Sequence, residues 1–262
     1  MASAGHFLER ARNGAPVIHN ITNLVAVNFM ANVLLAVGAL PVMAHAREEV
    51  AEISAGASAL TVNIGTPCPE RGAAMEDAAL VMQRAGKPWV LDPVGVGASH
   101  FRKTLAERLI LLKPPLIRGN ASEILALVGS SRHSPRLEAA EGVALAMAPA
   151  AELARMTGGV VAVTGPVDFV TDGTRGCHVA NGHALMAQVT AMGCALNGVI
   201  AAFCVGAPTF EATVAALSFY GLAGENAARS ARGPGSFQPA FLDALAALKP
   251  AELDAGARVA VS

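Results

Sequence analysis

Polar residues suited to chemistry recur at the ends of short apolar runs. Asn63, Gly65 and Thr66 close ALTVNIGT, and Asp92, Pro93 and Gly95 close PWVLDPVG. Arg118, Gly119 and Asn120 close PPLIRGN, and Thr164 and Gly165 close GVVAVTG. An arginine offers a planar fork of donors to phosphate or carboxylate oxygens. An aspartate supplies a hard oxygen for a divalent cation. Turn formation alone accounts for any one of these Gly, Asp or Thr residues. It accounts poorly for Arg118, because an arginine at the mouth of a buried strand needs an anion or a carboxylate beside it. The set as a whole points to a binding site.

A second cluster lies in VTAMGCALNGVIAAF, residues 189–203, where a glycine and a thiol begin a run of small and apolar residues. A polar cap is the usual start of a helix. An uncapped helix start leaves backbone N–H groups and the positive end of the helix dipole free for an anion. Gly193 lets a phosphate come close to the backbone, and the same dipole would stabilise the thiolate of Cys194. One reading is therefore an anion hole with a nucleophile or base. The other is a buried cysteine packed as a small hydrophobe, and spacing alone leaves both open.

These residues need a frame that brings them together. The runs 39–44, 59–65, 88–95, 114–120 and 159–165 read as strands, continuous rather than alternating, as in a parallel sheet covered on both faces. Helical patterns lie between them at 24–37, 46–55, 70–85, 102–111, 121–128 and 137–156, which gives a βαβ rhythm. Residues 167–180 read as an antiparallel hairpin turning near Asp172-Gly173. Helices follow at 191–206, 209–231 and 236–248. In an open sheet of this kind ligands bind outside the carboxyl ends of the strands, where the polar clusters fall. The expected fold class is α/β, a three-layer αβα sandwich with a central, mostly parallel sheet. With no linker, composition shift or repeat, residues 1–262 are expected to form one domain, with a loose tail from about residue 250.

Composition narrows the function. The 262 residues carry a net charge of −1 and no basic tract, which argues against nucleic acid as a partner. Charged residues make up 15%, hydrophobic residues 53% and aromatic residues 4%, so small side chains pack the core and a subunit interface is expected. The uncharged stretch 24–44 contains Asn28, Asn32, Gly38 and Pro41; a buried helix stopped at Gly38 explains it better than a bilayer span. The start lacks a signal-peptide core, and a cytoplasmic location is expected. Cys68, Cys177, Cys194 and Cys204 form no CxxC pair, and the histidines show no HExxH spacing, so neither a disulfide framework nor a zinc site is expected.

In order along the chain, HNITNLVAVNFMANVLLAVGALPVMAHA (19–46), NIGT (63–66), VLDPVGVGAS (90–99), IRGNASEI (117–124), VAVTGPVDFVTDG (161–173), MGC (192–194) and GPGSF (233–237) resemble the hydroxyethylthiazole kinase family. That resemblance implies a ribokinase-like fold. It also implies ATP- and Mg²⁺-dependent phosphorylation of the primary hydroxyl of 4-methyl-5-(2-hydroxyethyl)thiazole in thiamin salvage. There is no Walker A motif, and this fold does not use one.

By the same resemblance, Arg118, Thr164 and Asn120 look like ATP contacts, and Asp92 and Glu123 like parts of the Mg²⁺ and phosphate machinery. Met43, Asn23, Gly65 and Ala191 look like substrate contacts. Cys194, with Gly193, takes the place where related sugar kinases carry a catalytic aspartate. The family is trimeric, with the alcohol bound between subunits. Plainer readings stand beside these: Glu123 begins a helix favourably, Met43 is core, Asn23 caps the helix near Leu24, and His19 and His45 are structural. The chain departs from the family's Gly-small-Gly-Cys with Ala191-Met192-Gly193-Cys194, which puts a β-carbon where a positive φ is expected and requires room for a methionine. A kinase or dehydratase for another small alcohol, and a binding protein without catalysis, are the alternative functions.

Overall fold

The computed structural model describes residues 3–129 and 139–262. Five apolar segments form parallel strands: β1 (Val17–Ile21), β3 (Ala59–Asn63), β4 (Trp89–Asp92), β5 (Leu116–Asn120) and β6 (Val160–Thr164). The short β2 (Leu40–Val42) pairs in parallel with β1. Three further strands, β7 (Asp168–Thr171), β8 (Gly176–Val179) and β9 (Val259–Val261), extend the sheet antiparallel beyond β6. The order is β2-β1-β3-β4-β5-β6-β7-β8-β9.

Helices cover both faces. α1 (Ala4–Gly14), α2 (Val27–Val37), α8 (Met192–Cys204), α9 (Thr209–Ala228), α10 (Pro234–Ala247) and α11 (Pro250–Gly256) pack on one face; α3 (Val50–Gly56), α4 (Pro69–Ala85), α5 (His100–Leu111), α6 (Ala121–Leu127) and α7 (Ala139–Thr157) pack on the other. Alternate strand residues feed the two cores. Val90 and Leu116 join the core under α8, whereas Leu91 and Ile117 join the core under α4 to α7. The α/β, three-layer, mostly parallel architecture expected from the sequence is the one found. Among the described residues no helix is long and apolar enough to cross a membrane. α2 ends at Gly38, whose φ of 94° closes the helix in the left-handed conformation.

Three expectations need correction. β1 was not expected, because His19 and Asn20 interrupt its apolar pattern. Both are buried: His19 bonds Ser54 Oγ and the Ala44 carbonyl, each at 2.9 Å, and Asn20 accepts from Thr61 Oγ1 at 2.9 Å. Burial lowers the His19 pKa, so the ring is neutral. The N-terminal helix α1 was also unforeseen. The expected loose tail is instead α11 and β9, anchored where Asp254 Oδ1 accepts from the Gly5 amide at 2.6 Å and Arg258 pairs with Glu225 at 2.6 Å. The helix expected over 137–156 is found from Ala139 onward, and its first two residues lie outside the described residues. The hairpin turns as expected, with Gly173 at φ 89°.

Candidate active site

β4, β5 and β6 are adjacent and parallel, so Asp92, Arg118 and Thr164 arrive at one edge of the sheet. α8 begins over that edge. Arg118 Nη1 donates to the Gly193 carbonyl at 3.1 Å, and Nη2 donates to Thr164 Oγ1 at 2.5 Å. Its Nε is buried without a partner, and among the described residues no carboxylate forms an ion pair with it. A β-carbon on Gly193 would stand 3.0 Å from Nη1 and 3.1 Å from Nη2. Glycine is what lets the guanidinium lie flat against the first turn of α8.

That turn is open. Ala191 precedes it at φ 64°, ψ 0°, and no side chain caps the helix. The Ala195 amide returns to the Ala191 carbonyl at 2.8 Å, so the amides of Met192, Gly193 and Cys194 are the unclaimed donors of the first turn. The expected positive φ at residue 191 is present, on an alanine. Met192 finds its room inward: its side chain is buried, and the Tyr220 hydroxyl bonds its carbonyl at 2.8 Å and its sulfur at 3.2 Å.

Beside Arg118 five residues close a ring of polar contacts, four links through side chains and one through the Cys194 carbonyl. Asn63 Nδ2 and Asn197 Nδ2 both donate to Asp92 Oδ2, at 2.5 and 2.6 Å. Asn197 Nδ2 also reaches the Cys194 carbonyl at 3.1 Å. Asn23 Nδ2 donates to Asn63 Oδ1 at 3.0 Å and to Cys194 Sγ at 3.2 Å. Asp92 is buried, and its Oδ1 has no partner. Burial raises the Asp92 pKa; the Arg118 charge opposes the rise and the nearby Glu123 charge adds to it. Burial and then the Asp92 charge push the Cys194 thiol up as well. Of the two readings that the spacing left open, this favours the buried, neutral thiol over the dipole-stabilised thiolate.

The remaining sequence candidates fall in different places. Asn23 sits in the ring and also caps the following turn, its Oδ1 accepting from the Val25 and Ala26 amides at 3.1 Å each. The Gly65 amide donates to Asn63 Oδ1 at 2.9 Å, and a β-carbon there would meet the Asn23 β-carbon at 2.8 Å. Asn120 and Glu123 form a capping box on α6. Asn120 Oδ1 is taken by the Glu123 amide at 3.0 Å and Ser122 Oγ at 2.7 Å. Glu123 accepts from the Asn120 amide at 2.9 Å and the Gly95 amide at 3.0 Å. Met43 follows the edge strand β2, which β1 and β3 separate from β4, and packs half-buried against the core under α8.

Next to Arg118 opens a cleft of about 570 Å³, walled by Thr164, Asp168, Gly193, Met192, Tyr220 and the segment 181–187. Met43, Asn120 and Glu123 do not line it. Asp168 is one residue the sequence did not yield. Its Oδ1 accepts from the Gly165 amide at 2.9 Å, and burial pushes its carboxyl up to about 7. Asn197 is another, although it stands one helical turn after Cys194 and so on the same face. Arg102 is a third: it ties two loops of the site together through the carbonyls of Ile64, Gly65 and Val94.

Known proteins share both this sequence and this geometry. The Hydroxyethylthiazole kinase family matches residues 8–251. A hydroxyethylthiazole kinase of Cereibacter sphaeroides is 57% identical over 259 residues, 99% of each chain. The solved structure of a hydroxyethylthiazole kinase from Pyrococcus horikoshii superposes with a TM-score of 0.92 at 38% identity, covering 99% of this chain and 98% of that one. A ribokinase-like superfamily protein from Enterococcus faecalis shares the fold, with a TM-score of 0.63 at 14% identity over 93% and 94% of the two chains. A match running from residue 8 to 251, over a site in which Arg118 and Asp92 are both hydrogen-bonded to α8, places this chain in the hydroxyethylthiazole kinase family.

Proposed function

We propose that the protein transfers the γ-phosphoryl group of ATP to the primary hydroxyl of 4-methyl-5-(2-hydroxyethyl)thiazole, as thiamin salvage requires. One observation carries this reading: the Arg118 guanidinium, in no ion pair among the described residues, lies across the uncapped first turn of α8. A cation and a row of free amides aimed at one point suit a phosphoryl group in flight, whose transfer needs position and charge neutralisation more than covalent help. Arg118 and Thr164 hold the nucleotide phosphates, and the neighbouring cleft takes the nucleoside. Asn120 spends its Oδ1 on capping α6 and keeps its Nδ2 to donate to a nucleotide phosphate.

The residues present fit Mg²⁺. Asp92 Oδ1 is a buried oxygen without a donor, and magnesium sites in kinases commonly rest on one or two carboxylates plus substrate phosphates. Asp92 supplies that oxygen. Glu123, with both oxygens on backbone amides, keeps lone pairs for a hydration water. Bound there, Mg²⁺ neutralises phosphate charge. Cys194 meets the alcohol as a neutral thiol whose sulfur accepts a hydrogen bond, and the Gly193 amide faces the group being transferred.

The alcohol pocket lies toward Asn23, Gly65 and Ala191, and a neighbouring subunit completes it around Met43. Leu24 and Val25 next to Asn23, and Leu35 and Leu40 along α2 and β2, leave a large apolar area exposed, at 66, 62, 57 and 49%. Such a patch fits an interface, and a homotrimer is the assembly proposed. The cytoplasm, where ATP is available, is the proposed location. The deciding experiment supplies Mg-ATP and the thiazole alcohol to the purified protein and follows ADP and the phosphate ester by mass spectrometry. Alcohol-dependent ester formation is expected; binding of both ligands with no ester overturns the reading.

A further inference from the structure

The two oxygens of Asp92 meet opposite fates. Oδ2 receives two amide donors, from Asn63 at 2.5 Å and Asn197 at 2.6 Å, while Oδ1 receives none. Asn197 itself is 1% exposed. Its orientation is forced, because the groups facing its nitrogen, Asp92 Oδ2 and the Cys194 carbonyl, are both acceptors. A flipped amide would set oxygen against oxygen twice. Asn197 Oδ1 is therefore held away from them, buried and without a donor.

A buried acceptor left unsatisfied costs free energy comparable to a lost hydrogen bond. Here two such acceptors belong to side chains bonded to each other, at the edge where Arg118 and the amides of α8 converge. What satisfies such an oxygen is a hydrogen-bond donor or a cation and not an anion. We propose that Asn197 is a positioning residue for the phosphoryl transfer. It pins Oδ2 of Asp92 so that Oδ1 alone is offered to the reactants, and it keeps its own unpartnered Oδ1 to receive an O–H donor. The donor comes either from a cation's hydration water or from the acceptor alcohol. This inference rests on the kinase reading and adds to it a residue outside the family resemblance drawn from the sequence. Asn197 lies one helical turn into α8 and never reaches Arg118 or the nucleotide cleft.

The test compares wild type with Asn197→Ala and Asn197→Asp. The second keeps the shape of the side chain and carries the experiment if the first fails to fold. Misplacing a reacting group by about an ångström costs up to about a hundredfold in rate. The expected result is a kcat lower by between about tenfold and about a hundredfold, with KM for ATP within about twofold of wild type. A second readout is independent of turnover: Mn²⁺ affinity of the protein with a non-hydrolysable ATP analogue, measured by electron paramagnetic resonance. A weaker Mn²⁺ site identifies a hydration water as the donor, and a raised dissociation constant for the alcohol identifies the substrate; either supports the proposal. If the variants only melt earlier, with kcat, Mn²⁺ affinity and alcohol affinity unchanged, Asn197 is packing alone and the proposal is overturned. Wild type that makes no ester sinks the kinase reading instead, so the two failures are distinguishable.

Discussion

Arg118 on β5 and Gly193 at the start of α8 are joined at 3.1 Å, Nη1 to carbonyl oxygen, with no side chain between them. The strand that brings the cation and the helix that brings the amides are thereby one unit, and the glycine is the condition for it.

Gly193→Ala drives a β-carbon to about 3 Å from both terminal nitrogens and must displace the guanidinium. Removing a single preorganised donor typically costs about 10²- to 10³-fold in rate, and that loss is expected in kcat/KM for ATP with Arg118→Ala. Gly193→Ala should fall in the same direction by at least about tenfold on that scale. Arg118→Lys should restore little, because an ammonium cannot span Gly193 and Thr164 together. Steady-state kinetics with ATP varied check all three.

Ala191→Gly is expected to stabilise the fold slightly or leave it unchanged. An L-residue in the left-handed region costs about 1–2 kcal/mol, and the freer unfolded chain of glycine returns about 0.4–1 kcal/mol of that. Ala191 is at φ 64°. A melting temperature equal to or a few degrees above wild type is the expected reading, whereas Ala191→Val should lower it clearly.

Asp168 gives a pH dependence with a definite sign. Its folded pKa is raised to about 7, against about 3.9 in an unfolded chain. The folded state therefore holds the proton more tightly between those values. The contribution is full below about pH 4 and is lost as pH rises through about 7. Asp168→Asn removes it while keeping an oxygen for the Gly165 amide. Relative to wild type, the variant should gain stability between pH 5 and pH 8 in urea titrations.

Cys194 is expected to alkylate slowly at pH 7, since burial and Asp92 keep it a thiol. Mass-spectrometric mapping after iodoacetamide treatment should show its modification rising only at alkaline pH. Cys194→Ser should lower kcat by less than about tenfold, in keeping with a thiol that is a weak base for an alcohol.

Leu253→Ala should cost about 2–5 kcal/mol, the range for a fully buried leucine. Leu253 belongs to α11, part of the segment expected to be loose. Chemical denaturation measures the loss; a free tail would show none.

Much of the frame was legible because the parallel strands are unbroken apolar runs and each ends in a turn-forming polar group. β4, β5 and β6 could be read this way, and with them the meeting of Asp92, Arg118 and Thr164. β1 was hidden because His19 and Asn20 are satisfied by distant partners, Ser54 and Thr61, that no local pattern reveals. β9 is three exposed residues held by pairing with β8, and only the folded chain shows that pairing. Asn197 and Asp168 look like ordinary helix and hairpin residues until the strand ends are brought together. The state of Cys194 stayed open in the sequence for a related reason: the dipole is visible in a helix start, while the burial and the Asp92 charge that oppose it come from other segments.

On the proposed reading, the closed circuit Asn23–Asn63–Asp92–Asn197–Cys194 joins the alcohol side of the crevice to the phosphate side by hydrogen bonds. Trimming Asn23 would remove one of the two donors to Asn63 Oδ1, and the disturbance would arrive at the carboxylate two links away. If Met43 lines the alcohol pocket as proposed, retooling this scaffold for a bulkier alcohol should begin there, on the β2 rim, because Met43 takes no part in the circuit.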